Sequence, residues 1–452
     1  MTYPRVYATA TLLNDGRVLV AGGDNGVVGM DNPTGPWAYS AEIFDPATET
    51  FSLLNSTMSA ARVNHCAVTL SNGGVVMIGG WAEYVGWNSP EVLPSTVDLF
   101  DPGTNSFVSY PISGPLPNIA GDNPPACFLL SGDRIFINSD YSGPMVLDTN
   151  TWTTHEIQVA GVPTGYKPVN SSAAQTPDGR VWIVGGQVSF LDNSTISDVM
   201  RFDPADESAS IVGHLIQARF FAGVLPFPDN SIEVYGGVFS DVTGLTTISL
   251  TSVERITSAG TAIKIGDLPM PKFTFTPVML QNGKSLQVGG SDLNGLVIDT
   301  QFVFDETSYA SGVTGNMVEK RRWYGITPLN TGRVLIVGGE TETEGLEPPD
   351  HGSNTAEIFE PDANLYVLIP KTTVAPGEFV QLSTETSLSG TVTWTAKYGT
   401  VTAAGGYTAP SADPNGQIDQ TTIIQDEVTA TLPTGEKAVA PIRIVFPAPS
   451  AP

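Results

Sequence analysis

A short apolar strand that ends in a glycine pair recurs through this chain, and it restricts the fold more than any other feature. It closes at Gly22-Gly23, Gly79-Gly80, Gly185-Gly186, Gly236-Gly237, Gly289-Gly290 and Gly338-Gly339. A seventh, degenerate copy, Arg134-Ile135-Phe136-Ile137, carries Ser139-Asp140 in place of the glycines. The period of roughly fifty residues is that of four-stranded propeller units joined by variable loops. Other parts recur in register. Phe44-Asp45-Pro46, Phe100-Asp101-Pro102, Phe202-Asp203-Pro204, Phe304-Asp305 and Phe359-Glu360-Pro361 each end a third strand with a turn. Asp15-Gly16, Asn72-Gly73, Asp178-Gly179 and Asn282-Gly283 mark hairpin turns between first and second strands. Each unit alone buries one face, so closure of a ring completes the core.

These repeats, with Gly-Arg-Val-Leu-Val-Ala-Gly-Gly followed by Ser-Ala-Glu-Ile-Phe-Asp-Pro as their fullest copy, resemble the kelch repeat in the bacterial form related to galactose oxidase. The resemblance covers about residues 5 to 367. It implies an all-β, seven-bladed propeller over residues 1–367, each blade built from one repeat in order and the ring closed by packing the first blade on the last. Beyond Leu368 the period changes to short alternating strands around Val380, Trp394, Tyr407, Val428 and Ile444. Residues 368–447 resemble a bacterial immunoglobulin-like β-sandwich with Trp394 packing its core, and 448–452 form an extended tail.

Composition limits the partners. A net charge of −26 argues against nucleic acid and anionic membrane. No apolar run is long enough to span a bilayer, and Met1-Thr2-Tyr3-Pro4 leads into the first repeat without the pattern of a signal peptide. Cys66 and Cys127 lie in first strands of consecutive repeats, offset by one strand position. That offset points their side chains to opposite faces, and two buried free thiols are expected.

Galactose oxidase pairs a propeller with an immunoglobulin-like domain, so the resemblance raises a copper-radical oxidase. That chemistry needs a tyrosine adjoining a histidine ligand, a histidine from the C-terminal domain and a cysteine joined to a second tyrosine. The histidines here are His65, His155, His214 and His351; none follows a tyrosine and none lies beyond 351. The sequence therefore predicts no catalytic residue, metal or other cofactor.

Antiparallel pairing puts the loops entering first strands and those between second and third strands on one face. The entry positions carry Arg5, Arg62, Lys167, Arg219, Lys272 and Arg321-Arg322. They could ring the channel mouth as an anion site; the alternative is that each ties its blade to a neighbouring acidic or carbonyl group. The long loops on the same face carry Trp37 and Tyr39, and Trp81, Tyr84 and Trp87. These are either anchors for a glycan or protein partner or a small core within the loops. A third long loop, from Glu340 to Asn354, is acidic and expected to be solvated. The expected function is a noncatalytic binding or structural module, located outside the cell, on a cell surface or on a virus particle. Its partner is a glycan or protein receptor, or neighbouring subunits of a surface assembly. A secreted carbohydrate-active enzyme is the alternative.

Overall fold

The computed structural model describes residues 1–447 except 26–34, 82–92, 118–125, 139–142, 164–165, 189–193, 242–245, 293, 343–349 and 415–421. It is nearly all β, with one four-residue helix, Pro36–Tyr39, and a 3-10 turn at Pro361–Ala363. Small sheets follow one another along the chain, as a propeller-like fold requires.

The first sheet runs Thr9–Leu12, Val18–Ala21, Ala41–Asp45, Thr50–Leu53, paired in that order. Sheet two repeats the plan with Cys66–Thr69, Val75–Ile78, Thr96–Asp101 and Ser106–Pro111. Sheet three comprises Ala126–Leu130, Arg134–Asn138, Met145–Asp148 and Thr153–Glu156. Sheet four is Ser172–Gln175, Val181–Val184, Asp198–Asp203 and Ser208–His214, with Val159–Ala160 added in parallel at its outer edge. Sheet five has Gly223–Pro226, Ile232–Tyr235, Ser252–Ile256 and Ala262–Asp267. The inner strands are apolar because sheets stack face to face. Leu19 and Ala21 of sheet one meet Val75 and Met77 of sheet two, and Val76 and Ile78 then meet Ile135 and Ile137 of sheet three.

Sheets six and seven depart from the expected plan. Sheet six pairs Val278–Met279, Lys284–Val288, Gln301–Asp305 and Ser311–Val313, then continues through Tyr366–Ile369 to Ser383–Glu385. Sheet seven has three strands among the described residues, Gly325–Pro328, Val334–Val337 and Ala356–Phe359. The expectation that each repeat supplies all four strands of its own sheet is therefore corrected at the last repeat. Tyr366–Ile369 pairs antiparallel with Ser311–Val313 because Leu365, Val367 and Ile369 share a core with Phe302 and Val313 and with the C-terminal strands. This strand also crosses the boundary expected at 367/368. Sheet one packs on sheet seven through Val18, Val20 and Phe44 against Leu335 and Val337, and among the described residues neither sheet takes a strand from the other terminus.

Beyond it, Thr373–Val374, Lys437–Phe446, Thr422–Thr431 and Thr393–Ala396 form one sheet, and Phe379–Gln381, Gly406–Thr408 and Thr400–Val401 another. Tyr407, Val428, Ala430, Ala440 and Ile442 fill the space between them, with Trp394 partly buried against it.

Cys66 and Cys127 form a disulfide with Cα atoms 5.9 Å apart, which overturns the expectation of free thiols. The offset of one position was correct: Cys66 pairs with Ile78, next to the glycines, and Cys127 with Ile137, one residue further back. Opposite faces of consecutive sheets are, however, the two faces that meet when sheets stack around an axis. The offset brings the sulfurs together.

Candidate binding face at the channel mouth

The glycine pair and the cation that follows in the next repeat form one device. The second glycine donates its N–H to the cation's carbonyl in five joints: Gly23 to Arg62 (2.9 Å), Gly186 to Arg219 (2.8 Å), Gly237 to Lys272 (3.0 Å), Gly290 to Arg321 (2.8 Å) and Gly339 to Arg5 (2.8 Å). The last of these closes sheet seven on sheet one. In these five joints the first glycine of the pair has φ between 48° and 63°, and a Cβ there would collide with the same carbonyl oxygen. Only glycine meets both demands.

The cation's side chain turns back into its own sheet. Arg5, Arg62, Arg219 and Arg321 are all 0 % exposed. Each donates through Nη1 to the carbonyl of its own first glycine: Gly22 (2.6 Å), Gly79 (2.9 Å), Gly236 (2.9 Å) and Gly338 (2.6 Å). Each also pairs with a carboxylate on the third strand: Glu42, Asp98, Glu254 and Glu357. The same carboxylate accepts the backbone N–H of Thr2, Ser59, Ile216 or Val318, so it pins the entry segment as well. Burial pulls the guanidinium pKa of Arg5, Arg62 and Arg219 below the usual arginine value, opposed by the carboxylate.

A cationic ring facing the mouth is thus corrected to a set of buried clasps. Lys272 occupies the same place without an acid. Its Nζ lies 4.6 Å from the Phe302 ring centroid, 5.0 Å from that of Phe275 and 3.1 Å from the Gln287 carbonyl, and burial pushes its pKa well below the usual lysine range. Lys167 is not in the ring. Pro168 holds that register, since Val169 bridges to Gln187 as Val6 bridges to Asp24, and Lys167 reaches Glu156 at 3.8 Å. Arg322 follows the ring position and pairs with Glu340 at 2.9 Å.

Two residues after each ring position the backbone turns left-handed: Tyr7 (φ 58°), Asn64 (55°), Asn170 (55°), Phe221 (55°), Thr274 (53°) and Trp323 (53°). Such angles cost energy for side-chain-bearing residues, and the repetition shows that the fold imposes them. The kinked residues form a backbone garland around the mouth. Tyr7 N–H donates to Trp323 O (2.9 Å), Asn64 to Tyr7 (3.2 Å), Phe221 to Asn170 (3.2 Å) and Thr274 to Phe221 (3.4 Å). Below lies a channel of about 540 Å³ walled by first strands of all seven sheets or residues leading into them, including Thr9, His65, Cys127, Gln175, Val224, Thr276 and Tyr324.

At the lip, Tyr7 stacks on Trp323 with centroids 4.7 Å apart, and the Arg322 guanidinium lies 4.2 Å from the Trp323 centroid. Sequence reasoning found Arg322 but missed Tyr7 and Trp323. Their fixed place two residues after the ring cations was the available signal. Trp37, Tyr39 and Trp81 gather with Tyr7 around Ala38, Ala61 and Val63, each partly buried in a small core on this face. Pro36 starts the helical turn that places Trp37 and Tyr39, and Trp37 O accepts from Arg5 Nη1 (2.9 Å). Tyr84 and Trp87 lie outside the described residues. The acidic loop is described only at its ends, where Glu340–Glu342 pairs with Asp350–Gly352.

Among the described residues the histidines and cysteines do not assemble the donor set of a copper-radical centre. His65 is buried, its Nε2 is 3.1 Å from Thr9 Oγ1, and burial together with Arg62 and Arg5 lowers its pKa to about 3. His155 and His214 sit on outer strands against Glu207 and Asp198, and both cysteines are spent in the disulfide. Among the described residues no group of three or more His, Cys, Asp or Glu is placed to hold a metal ion.

A second polar cluster lies between sheets five and six, away from the mouth. Tyr235 Oη lies 2.7 Å from Glu233 and 3.0 Å from Glu306, so its one proton and its lone pairs serve both acids, and Arg255 Nη1 pairs with Glu233 at 3.0 Å. Burial, then the neighbouring Glu233, raises the Glu306 pKa to about 9. Unfolded, the group titrates near 4.5. Between these values the folded chain holds a proton that the unfolded chain has lost, so this contribution to stability is complete below about pH 4.5 and declines as pH rises through about 9. Thermal unfolding followed from pH 5 to pH 9 should therefore show a falling midpoint, and Glu306→Gln should flatten that decline. An equal decline in the variant would assign it to other groups.

No protein-family model and no curated protein matches the sequence. Solved structures do match in fold. A fungal alcohol oxidase of the AA5 family, solved in complex with copper, superposes with a TM-score of 0.60 at 13 % identity, covering 99 % of this chain and 98 % of that one. The structure of YjhT matches with a TM-score of 0.49 at 12 % identity, over 69 % of this chain and 98 % of that one. At such identity the likeness concerns the fold.

Proposed function

We propose that the chain is a noncatalytic recognition module: a seven-bladed kelch-type propeller carrying an immunoglobulin-like sandwich over about 368–447. It works outside the cell or on a particle surface and binds a glycan or protein partner through the lip of its channel. The observation that carries this reading is the stacked pair Tyr7 and Trp323 beneath Arg322, held on a rigid garland of backbone hydrogen bonds. The edges of rings fixed at a concave rim offer apolar contact to a sugar or a side chain, and the adjacent guanidinium supplies donors. The Cys66–Cys127 bridge supports an oxidising compartment. The buried clasps support scaffolding, because their charges are taken up inside the sheets. The oxidase alternative has only the shared fold in its favour.

Trp323→Ala should weaken binding to a glycan array or to whole target cells at least tenfold, about 1.4 kcal/mol, with unfolding midpoint unchanged within a few degrees. Trp323→Phe should restore most of the affinity. Undiminished binding by a folded Trp323→Ala protein would remove the lip from the recognition surface.

A further inference from the structure

The joint between sheets five and six departs from the other joints in one respect. Counting back from the glycines, the third position is Leu19, Val76, Phe136, Trp182, Leu286 or Leu335 elsewhere, but Glu233 in sheet five. The facing positions in sheet six are Ser285 and Gln287, where sheet two has Val75 and Met77. Glu306 stands where four other repeats place Pro46, Pro102, Pro204 and Pro361. Glu233, Tyr235, Ser285 and Gln287 are each 0 % exposed. Five polar residues at normally apolar or proline positions thus meet in one place.

Their hydrogen bonds are incomplete. Gln287 Nε2 donates to Ser285 Oγ (2.8 Å), Gln287 Oε1 has no partner among the described residues, and the protonated Glu306 hydrogen-bonds to its fellow acid Glu233. Arg255 divides its guanidinium between Glu233 (3.0 Å) and Asp229 (2.9 Å), and Glu306 forms no ion pair among the described residues. Glu306 lines a cavity of about 830 Å³ on the face opposite the lip. The hairpin turns of sheets four, five and six wall it with Pro177, Pro226, Phe227, Pro228 and Met279. Its size suits a small organic ligand, and among its mostly apolar lining stands Glu306, an acid with no ion-pair partner among the described residues.

We infer that this cavity is a binding site for a small organic ammonium compound, its apolar body against Phe227 and Met279 and its charged head at Glu306. Charge decides the class. An anion would face two carboxyls and a strongly acidic protein, and a neutral alcohol would leave Glu306 protonated without gaining an ion pair. An ammonium head pairs with the ionised Glu306 carboxylate, and the proton that Glu306 held at neutral pH leaves to solvent. Binding and proton release are therefore linked. Glu233, Arg255, Tyr235, Asp229 and Tyr309 are the other titratable groups facing this cluster. Glu233 already has Arg255, so Glu306 is the group that gives up its proton.

The test is calorimetric titration of the full chain with phenethylamine, and with 2-phenylethanol as the neutral isostere, in two buffers of different ionisation enthalpy. The amine should bind with release of about one proton at pH 7, its affinity rising up to tenfold per pH unit toward pH 9. The alcohol should bind at least tenfold more weakly. Glu306→Gln should abolish the proton release and the pH dependence, and Met279→Trp should reduce affinity by narrowing the cavity, with no effect at the lip. Equal binding of amine and alcohol, binding of the amine without proton release, or no binding up to about 10 mM amine would overturn the assignment.

Discussion

Arg62→Met should cost about 3–5 kcal/mol of stability, while the same change at Lys272, the equivalent place in sheet six, should be neutral or stabilising. In the first case methionine removes the partner of a carboxylate sealed from water. Asp98 keeps only the Ser59 N–H (2.9 Å), and the carbonyls of Gly79 and Thr96 lose their donor. An uncompensated buried charge is among the most expensive defects a core can hold. In the second case the substitution removes an ammonium that has no acid beside it and rests on Phe275 and Phe302. Methionine keeps the ring contacts and loses one hydrogen bond to the Gln287 carbonyl.

Chemical denaturation of both variants measures the contrast. Arg62→Met combined with Asp98→Leu should recover most of the loss, because the pair is then replaced by apolar volume. A loss below about 1 kcal/mol for Arg62→Met alone would mean that water reaches Asp98 and that the clasp is not sealed.

The same comparison shows what the sequence disclosed and what it concealed. Strand order, hairpin turns and glycine pairs were legible because each reflects a local demand: alternation, a turn angle, a positive φ. The ring cations were legible as a repeated position, but their orientation was not, since a basic residue at a loop entry can face solvent or its own sheet. A signal for the second choice was present. Arginine occurs where the third strand carries Glu42, Asp98, Glu254 or Glu357, whereas Met200 and Phe302 stand there in the repeats with Pro168 and Lys272. Acid and arginine thus appear and disappear together within one chain, as a buried pair requires.

Other features were hidden because they belong to the assembly of sheets. The pairing of Tyr366–Ile369 with sheet six depends on a core shared with strands more than fifty residues apart in sequence. Tyr7 and Trp323 come from opposite ends of the repeat array and meet only at closure. Glu306 follows Phe304-Asp305 in a turn that by itself signals nothing, and its surroundings come from Glu233 and Tyr235 in the preceding sheet.

Loss of the Cys66–Cys127 bridge should cost about 4 kcal/mol, from the chain entropy released when a loop spanning 61 residues is no longer closed in the unfolded state. Its position adds a reason for the size. Five joints carry the clasp from glycine N–H to the carbonyl of the next cation, and the two flanking sheet three are not among those described. Sheet three has Ser139-Asp140 for the glycine pair, and residues 118–125 before its first strand contain no lysine or arginine. The disulfide crosses the joint between sheets two and three. On the far side Asn138 Nδ2 donates to Ser171 (3.1 Å). A covalent tie thus stands beside the repeat that departs furthest from the motif.

Cys66→Ala with Cys127→Ala should lower the denaturation midpoint by that amount, and limited proteolysis should cut first between sheets two and three. Native protein unfolded without reductant should show no titratable thiol; two thiols per chain would sink both this prediction and the oxidising location. A double variant as stable as the parent, cut elsewhere, would instead leave the joint held by its apolar core of Val76, Ile78, Ile135 and Ile137.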